Sequence, residues 1–455
     1  MSDLYSFRNP VLSLWQSAAA EVHRRRSSVF SRMGDLIKDI VAPAENMAKS
    51  LMAPAYDVAA KIENDKSPAA LLKTPDGVGV KIAETAMTAA DCASVASRFL
   101  WAEITGNQQE ADLCAGMLKY SECDGLGWAE CLTTYLGYKA LHDSFPYRPN
   151  KDVVIDLGNI SKIAIIGDWG TGDNVAINVL KEVAKLKPDV LLHLGDVYYA
   201  CTQSEAHGNF FDVCKVVLGD KIPLFSLCGN HDMYSGGDGY YWLVDRIGQQ
   251  ASYFCLQTPE WQFVAVDTGH NDNNPGTVST NMTSLVSSGA WSEAAWALNK
   301  INSAGSRKTV MLSHHQLFSP FSSVGSVGTQ AYAYNPNLYE PFQTVLQNIE
   351  WWFWGHEHTL GIYDPYMGLK RGRCLGGSAV PVFVDQQQYA TADGLQTLDK
   401  APMPTWNPTG ILGNQHKTYD NCFAIMTLNG PSANVDYYSV PLLKPAVKLN
   451  VTDNN

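Results

Sequence analysis

The 455-residue sequence lacks the features that mark a membrane-spanning, nucleic-acid-binding or metal-knuckle protein. It has no run of 18 or more apolar residues, so no transmembrane helix is expected. Only 17% of residues are charged, and 45 Asp and Glu outnumber 33 Lys and Arg, for a net charge of -12. A protein that binds the phosphate backbone needs a basic face, so nucleic acid is not expected as the main partner.

The sequence has 10 cysteines but no C-x-x-C pair, which excludes a zinc knuckle and a thioredoxin-type redox site. We therefore expect the cysteines to be reduced and buried. Residues 1–10 lack a basic stretch followed by an apolar one, so no signal peptide is expected. The expected location is cytoplasmic, with export by another route left open.

Composition and periodicity divide the sequence into two regions. Hydrophobic residues make up 45% of a chain whose length alone suggests about three domains. Residues 1–150 carry apolar residues at helical spacing over 11–40 and again over about 79–141, which predicts an all-helical domain. A proline-containing stretch at 144–149 predicts a linker. The helical domain contains no recognisable motif, and a role in docking a protein partner stays open.

After the predicted linker, short apolar runs alternate with helical patterns, which predicts a parallel α/β sheet. The first unit is a strand over 163–166, a helix over 175–186 and a strand over 190–194. Further strands are predicted over 222–227, 263–266, 309–312 and 351–354, with helices over 291–301 and 338–349. An Asn-Gly pair at 429–430 between two apolar runs predicts a hairpin near the C-terminus.

Polar residues directly follow these predicted strands. They comprise Asp168, Asp196, Tyr199, Asn230, His231, Asp232, His314, His315, His356 and His358. Loops beyond the carboxyl ends of parallel strands face one crevice, so these side chains are expected to meet. Carboxylate, imidazole, amide and phenolate groups suit Fe, Mn or Zn, and one aspartate can bridge two ions. Two such ions can clamp a phosphoryl group and activate a water molecule.

Five motifs in order resemble those of the binuclear metallophosphoesterases. They are Gly167-Asp168-Trp169-Gly170, Gly195-Asp196-Val197-Tyr198-Tyr199, Gly229-Asn230-His231-Asp232, His314 after a strand, and Gly355-His356-Glu357-His358. Within that superfamily they are most similar to the purple acid phosphatase branch, which has Asp-x-Gly in its first motif and a tyrosine ligand. The resemblance covers about residues 160–380 and implies an αββα-sandwich catalytic domain over 151–455.

The resemblance implies a site for Fe(III) and a site for a divalent ion, which would be Fe, Zn or Mn. The implied ferric ligands are Asp168, Asp196, Tyr199 and His358, and the implied divalent ligands are Asp196, Asn230, His314 and His356. Asp196 would bridge the two ions. A bridging hydroxide would attack a small phosphomonoester, as in acid phosphatases, with His231 as the proton donor. A phosphodiesterase with the same centre, or an effector protein whose helical domain docks a partner, stays open.

Two of the implied metal ligands have an alternative in the neighbouring residue. Tyr198 could replace Tyr199 as the ligand, and His315 could replace His314. His315 is otherwise a candidate for contacting substrate, as is Trp169. Asp232 is expected to orient a histidine instead of binding metal directly.

Overall fold

The computed structural model describes residues 144–455 apart from short gaps, and part of the preceding region. The gaps are 276–281, 322, 328–329, 385–393, 399–401, 405–412, 416–417 and 443. Before residue 144 it describes 106–121 and the single positions 95, 98, 102, 134, 135, 138, 139 and 142. The helices predicted over 11–40 lie outside the described residues. Within the second predicted helical stretch, α1 (Gln108–Leu118) is present, and the Asn107 side chain accepts a hydrogen bond from the Glu110 N–H at its start.

The chain forms two compact units, residues 1–130 with 381–387 and residues 131–380 with 388–455. The sequence predicted a boundary between two domains after residue 150, with a linker over 144–149. Residues 144–149 fall within the second unit of this division, and the predicted domain boundary stays a prediction. The Tyr147 hydroxyl donates to Glu293, and Arg148 forms an ion pair with Asp245. The two side chains between the prolines therefore bond to other residues of the second unit.

The described strands are listed here in chain order: β1 (Val154–Asp156), β2 (Lys162–Ile166), β3 (Val190–His193), β4 (Leu224–Ser226), β5 (Phe254–Gln257), β6 (Trp261–Ala265), β7 (Ser287–Ser288), β8 (Trp291–Ser292), β9 (Lys308–Leu312), β10 (Gly325–Val327), β11 (Gln330–Tyr332), β12 (Ile349–Trp354), β13 (Leu360–Ile362), β14 (Gly372–Leu375), β15 (Asn414–Gln415), β16 (Thr418–Tyr419), β17 (Asn421–Asn429), β18 (Ser432–Val440) and β19 (Val447–Lys448). The helices after α1 are α2 (Asn174–Lys185), α3 (Gln203–Glu205), α4 (Asp212–Leu218), α5 (Asp238–Arg246), α6 (Glu293–Asn302) and α7 (Pro336–Phe342). A π-helical turn (Ala206–Phe211) joins α3 to α4, and short 3₁₀ turns lie at His231–Met233 and Leu346–Asn348.

Two large sheets dominate the second unit. One has seven strands in the order β1, β5, β6, β9, β12, β14, β13, and the other has six in the order β19, β18, β17, β2, β3, β4. Strands β2, β3 and β4 run parallel, as do β6, β9 and β12, whereas the β17–β18 hairpin pairs antiparallel to β2. The predicted parallel units and the C-terminal hairpin are therefore confirmed, and the sheets are mixed instead of fully parallel.

Both faces of β2 are buried. Ile163 belongs to the same apolar cluster as Phe263 and Val310 of the seven-stranded sheet. The next residue, Ala164, belongs to a second cluster with Val179 of α2. Successive strand residues point to opposite faces, so one face of this sheet packs on the other sheet and one on helices. This layering is the predicted α/β sandwich.

Among the described residues, no helix combines the length and the apolar character needed to cross a membrane. Their seven cysteines, at positions 114, 201, 214, 228, 255, 374 and 422, are free and buried. Cys92, Cys123 and Cys131 lie outside the described residues.

A buried ion pair ties the C-terminal segment to strand β14 of the seven-stranded sheet. Arg373 of β14 donates from Nε and Nη2 to the two carboxylate oxygens of Asp453, at 2.7 and 2.9 Å. Tyr437 and Trp351 also donate to Asp453. Burial raises the pKa of Asp453, but the Arg373 hydrogen bond and charge, with Tyr437 and Trp351, bring that pKa below its ordinary value.

We expect Asp453→Asn to lower the free energy of unfolding by about 3–5 kcal/mol, because the buried guanidinium loses its charge partner. The matched control is Asp436→Asn, which breaks the surface pair with Lys448 and should cost less than about 1 kcal/mol. Urea unfolding of the three proteins measures both changes.

The same comparison has a pH dependence of known sign. A carboxyl whose pKa is lowered by folding stabilises the protein above its unfolded pKa, roughly 3.9, and loses that contribution as pH falls through the folded value. The difference between wild type and Asp453→Asn should thus be constant near neutrality and shrink below roughly pH 4. A difference that grows on acidification would contradict the ion-pair account.

Candidate metal centre

The carboxyl ends of strands from both sheets converge on one group of polar side chains. Strands β2, β3 and β4 supply the residues from the six-stranded sheet, and β9 and β12 supply those from the other. The predicted residues found in this group are Asp168, Asp196, Asn230, His231, His314, His356 and His358, all of them buried. Side chains that lie far apart in sequence are thus brought together.

Two motif glycines are required because neighbouring loops approach closely. A Cβ atom at Gly229 would lie 2.1 Å from Oδ1 of Asp196, and one at Gly355 would lie 2.6 Å from Oδ2 of Asp168. Both contacts are far shorter than a carbon–oxygen contact allows. The glycine before each polar residue therefore leaves room for the carboxylate of another motif.

Three candidate ligands have left-handed backbone conformations. The φ angles are +54° at Asp168, +74° at Asp196 and +63° at His356. Non-glycine residues adopt this region at an energetic cost, and such residues concentrate at functional sites. At His356 the conformation aims the backbone N–H at Oδ2 of Asp168, at 2.8 Å.

A first donor set consists of one amide oxygen and two imidazoles. Oδ1 of Asn230 lies 3.0 Å from Nε2 of His314 and 2.9 Å from Nδ1 of His356, and these two nitrogens are 3.2 Å apart. The Asn230 amide is oriented because its Nδ2 donates to the Tyr234 hydroxyl. The ring of His314 is oriented because its Nδ1 donates to the Leu194 carbonyl.

These atoms fit a bound cation. With Nδ1 protonated, Nε2 of neutral His314 presents a lone pair to the Asn230 oxygen, which is also an acceptor. Burial lowers the pKa of His314 to about 3, so the ring is neutral. Ligand atoms held 2.0–2.2 Å from one ion lie about 3 Å apart, which is the spacing seen here.

A second donor set surrounds the hydroxyl of Tyr198. That oxygen lies 3.0 Å from Oδ1 of Asp168, 3.1 Å from Oδ2 of Asp196 and 3.0 Å from Nε2 of His358. One phenol hydrogen can be donated to only one of these three atoms. The set of two carboxylates, a phenol and an imidazole therefore also fits a cation.

Asp196 belongs to both donor sets. Its Oδ2 faces Tyr198, and its Oδ1 lies 3.5 Å from Nε2 of His314. The atoms of Asp168, Asp196 and His314 form one group that could hold a metal ion, and those of His314, His315 and His356 form another. Asp196 thus has one carboxylate oxygen beside each donor set.

The two adjacent tyrosines of the second motif make different contacts in this group, and Tyr199 as a ligand stays a prediction. Tyr198, the alternative left open by the sequence, places its hydroxyl among the carboxylates. Tyr199 takes part through its backbone, since its N–H donates to Glu205 and its carbonyl accepts from His231. The loop conformation after Asp196 decides which of the two adjacent phenols enters the site, and residue spacing does not reveal it.

His231 is a fully buried member of the same group. Its Nδ1 donates to the Tyr199 carbonyl at 2.6 Å, and its backbone N–H donates to Oδ1 of Asp196. Because Nδ1 is engaged, Nε2 is the atom available for proton exchange, and it lies 3.9 Å from Oδ2 of Asp196. The ring packs between Tyr198 and Tyr234.

Asp232 holds two of the loops together. Its carboxylate accepts hydrogen bonds from the backbone N–H groups of Asp196, Val197 and Gly229. It therefore orders backbone, whereas the sequence predicted that it orients a histidine. Burial, and then the charges of Asp168 and Asp232, raise the pKa of Asp196 well above its ordinary value. A bound cation would relieve this repulsion.

The two predicted substrate contacts, Trp169 and His315, both bond to other protein groups, and their contact with substrate stays a prediction. Trp169 is fully buried, and its indole N–H donates to the Ala176 carbonyl, so it packs under α2. His315 borders the site with its ring centroid 4.3 Å from that of His356, but both of its nitrogens are engaged. Nδ1 bonds the Thr268 hydroxyl and Nε2 bonds Asp272.

Sequence reasoning did not identify Tyr234, Thr268 or Asp272 as neighbours of the site. Tyr234 lies four residues after Asn230, in the turn that follows the motif, so its position was a weak local signal. Thr268 and Asp272 follow β6 and meet His315 across two loops. No local pattern indicates such a contact.

Comparison with solved structures shows several distant similarities. A purple acid phosphatase, PPD1, from yellow lupin (Lupinus luteus) seeds is 14% identical with a TM-score of 0.42, covering 65% of this chain and 53% of its own. GAP50, the anchor in the inner membrane complex of Plasmodium, is 12% identical with a TM-score of 0.38, covering 64% and 89%. Vacuolar protein sorting 29 from Cryptosporidium parvum is 12% identical with a TM-score of 0.29, covering 65% and 99%. The chain spans about half the length of the lupin protein.

A comparison with curated proteins gave no match. Residues 161–360 match the family model of the calcineurin-like phosphoesterases. This range begins just before β2 and ends at the first residue of β13, so it includes every strand end that supplies a candidate ligand. The chain therefore carries a calcineurin-like metallophosphoesterase domain over residues 161–360.

Proposed function

We propose that this protein hydrolyses phosphomonoesters at a binuclear metal centre, in the manner of an acid phosphatase. The observation that carries the proposal is the position of Asp196, whose two carboxylate oxygens face two separate donor sets. Membership of the phosphoesterase family supports metal-dependent phosphoester hydrolysis in general. The number of ions and the monoester preference are our own inference.

The two donor sets suit different ions. Asp168, Asp196, Tyr198 and His358 would hold Fe(III), because carboxylate and phenolate oxygens are hard ligands. Asp196, Asn230, His314 and His356 would hold a divalent ion such as Fe, Zn or Mn. When bound, such ions would neutralise charge on a phosphoryl group and lower the pKa of a water molecule.

The chain's own residues would then position the substrate and move the proton. The Tyr199 carbonyl keeps the Nδ1 proton of His231 in place, so His231 would deliver a proton to the leaving oxygen from Nε2, and only from its imidazolium form, which carries a proton on each nitrogen. The Asn230 amide and the His314 ring are fixed by Tyr234 and the Leu194 carbonyl, so little reorganisation is needed at these groups.

The burial of the donors favours a monoester. Asp168, Asn230 and His314 are 0% exposed, Asp196 is 1% exposed, and His356 and His358 are 5 and 8% exposed. A phosphoryl group with a single ester arm brings less bulk to these buried atoms than one with two arms. The alternative role in docking a partner would depend on residues that lie mostly outside the described part of the chain.

The substrate class can be tested with two nitrophenyl esters. We expect protein reconstituted with Fe, Zn or Mn to have a higher kcat/KM for p-nitrophenyl phosphate than for bis(p-nitrophenyl) phosphate. Asp196→Asn should abolish both hydrolysis and binuclear metal binding, since it removes the shared charge, whereas Asp436→Asn should affect neither. Full activity in Asp196→Asn would refute the proposal, and a preference for the bis-ester would make the protein a diesterase.

Whether Tyr198 or Tyr199 is the metal ligand can be tested by substituting each of them. We expect Tyr198→Phe to weaken metal binding by roughly 10–100-fold or more, the range typical of groups next to a metal, and to remove any visible phenolate-to-iron band. Tyr199→Phe should retain that band, because Tyr199 is held through its backbone. Metal titrations and absorption spectra of both variants decide the question. If Tyr199→Phe loses the band and Tyr198→Phe retains it, Tyr199 is the ligand.

The role of His231 can be tested through the leaving group. Protonation matters most for a poor leaving group, so His231→Gln should lower kcat for phenyl phosphate far more than for 2,4-dinitrophenyl phosphate. An equal loss with both esters, at unchanged metal content, would show that His231 binds phosphate without donating the proton.

A further inference from the structure

The helical segment that follows the Tyr198–Tyr199 loop contacts that loop with two side chains. Glu205 lies at the end of α3, and its carboxylate accepts hydrogen bonds from three backbone N–H groups of the loop. These belong to Tyr199 at 2.5 Å, Thr202 at 2.8 Å and Ala200 at 3.3 Å. The Thr202 hydroxyl donates to the same carboxylate. One carboxylate thus orients the backbone N–H groups of residues 199, 200 and 202.

The second contact comes from the π-helical turn Ala206–Phe211. Its residue Asn209 donates from Nδ2 to the Tyr198 carbonyl at 2.8 Å. A π-helical turn contains an extra residue relative to an α-helical turn, which changes the direction of the side chains that follow, and such turns are frequent at functional sites. Asn209 therefore contacts the carbonyl, and Glu205 the N–H, of the same Tyr198–Tyr199 peptide group.

These contacts continue into the metal centre. The Tyr198 side chain extends from the held loop to Asp168, Asp196 and His358. The Tyr199 carbonyl, whose own N–H is held by Glu205, accepts the Nδ1 proton of His231. The loop between the two contacts thus determines where the phenol oxygen and the His231 ring are placed.

We propose that Glu205 and Asn209 are positioning residues for the metal centre, acting through Tyr198 and His231. This inference rests on the proposed function for its kinetic consequences, but its effect on metal binding does not depend on catalysis. Both residues contact backbone groups of the loop. Their effect passes through the backbone of residues 198–200.

A purely structural role for Glu205 has to be distinguished from this one. Thr202 and Glu205 form a reciprocal capping box at the start of α3, and such caps stabilise helices by about 1 kcal/mol. Thr202→Ala removes the hydroxyl of the cap and leaves Glu205 with all three backbone N–H groups, those of residues 199, 200 and 202. It is therefore the matched control for loss of capping alone.

The experiment compares Glu205→Gln, Thr202→Ala and wild type for thermal stability, Mn²⁺ affinity and kinetics with phenyl and 2,4-dinitrophenyl phosphate. Glu205→Gln turns an amide NH₂ toward backbone N–H donors, so Mn²⁺ affinity and kcat should fall on the order of tenfold, with little change in KM. The loss in kcat should be larger for phenyl phosphate, as in His231→Gln. Thr202→Ala should lower the melting temperature and leave the other quantities close to wild type.

An equal loss of Mn²⁺ affinity in both variants, or a loss in neither, would overturn the proposal. If Glu205→Gln does not fold, Asn209→Asp decides, because it removes the donor to the Tyr198 carbonyl. Reduced Mn²⁺ affinity in that variant supports positioning, and unchanged affinity overturns it. If wild type binds Mn²⁺ but hydrolyses neither ester, the proposed function fails, and the affinity comparison still decides the role of Glu205 and Asn209.

Discussion

The buried Asp196 carboxylate is the group on which the centre of this molecule depends. It lies at the carboxyl end of β3, accepts the backbone N–H of His231, and faces Tyr198 with one oxygen and His314 with the other. Burial and two neighbouring carboxylates raise its pKa well above the ordinary value, so a negative charge there is unfavourable without a cation. The loops nevertheless bring more acceptor atoms toward it. A buried carboxylate surrounded by other acceptor atoms can stay ionised only if a positive charge lies among those atoms.

The backbone around this carboxylate is arranged for close approach. Gly229 leaves space for the Asp196 side chain, and Gly355 leaves space for that of Asp168. Asp168, Asp196 and His356 adopt left-handed conformations, which costs free energy that packing elsewhere has to offset. The two large apolar layers that cover both faces of β2 and β3 provide that packing. The rigid sheets thus fix the positions at which the strained loops begin.

The sequence was sufficient to predict the strands and most of the candidate ligands, because both depend on local pattern. Apolar runs followed at once by Asp168, Asp196 or His356 mark strand ends, and parallel strands end at one edge of a sheet. The choice between Tyr198 and Tyr199 could not be made this way. It depends on how Glu205 and Asn209 hold the loop, and these residues lie in a helical segment that carries no metal motif. The sequence pattern also did not indicate that the Trp169 indole donates to the Ala176 carbonyl, seven residues further along the chain.

The net charge of -12 bears on how an anionic substrate could be bound. An anion approaching this protein meets a repulsive field at distances up to about 8–10 Å, the screening length at physiological salt. The donors described at the site are carboxylates, neutral imidazoles, an amide and a phenol, which attract an anion weakly by themselves. Binding of an anionic substrate would therefore depend on short-range contact with bound cations. Because those cations would be held by buried groups, most of the acidic surface could remain acidic without preventing phosphate from binding at the centre.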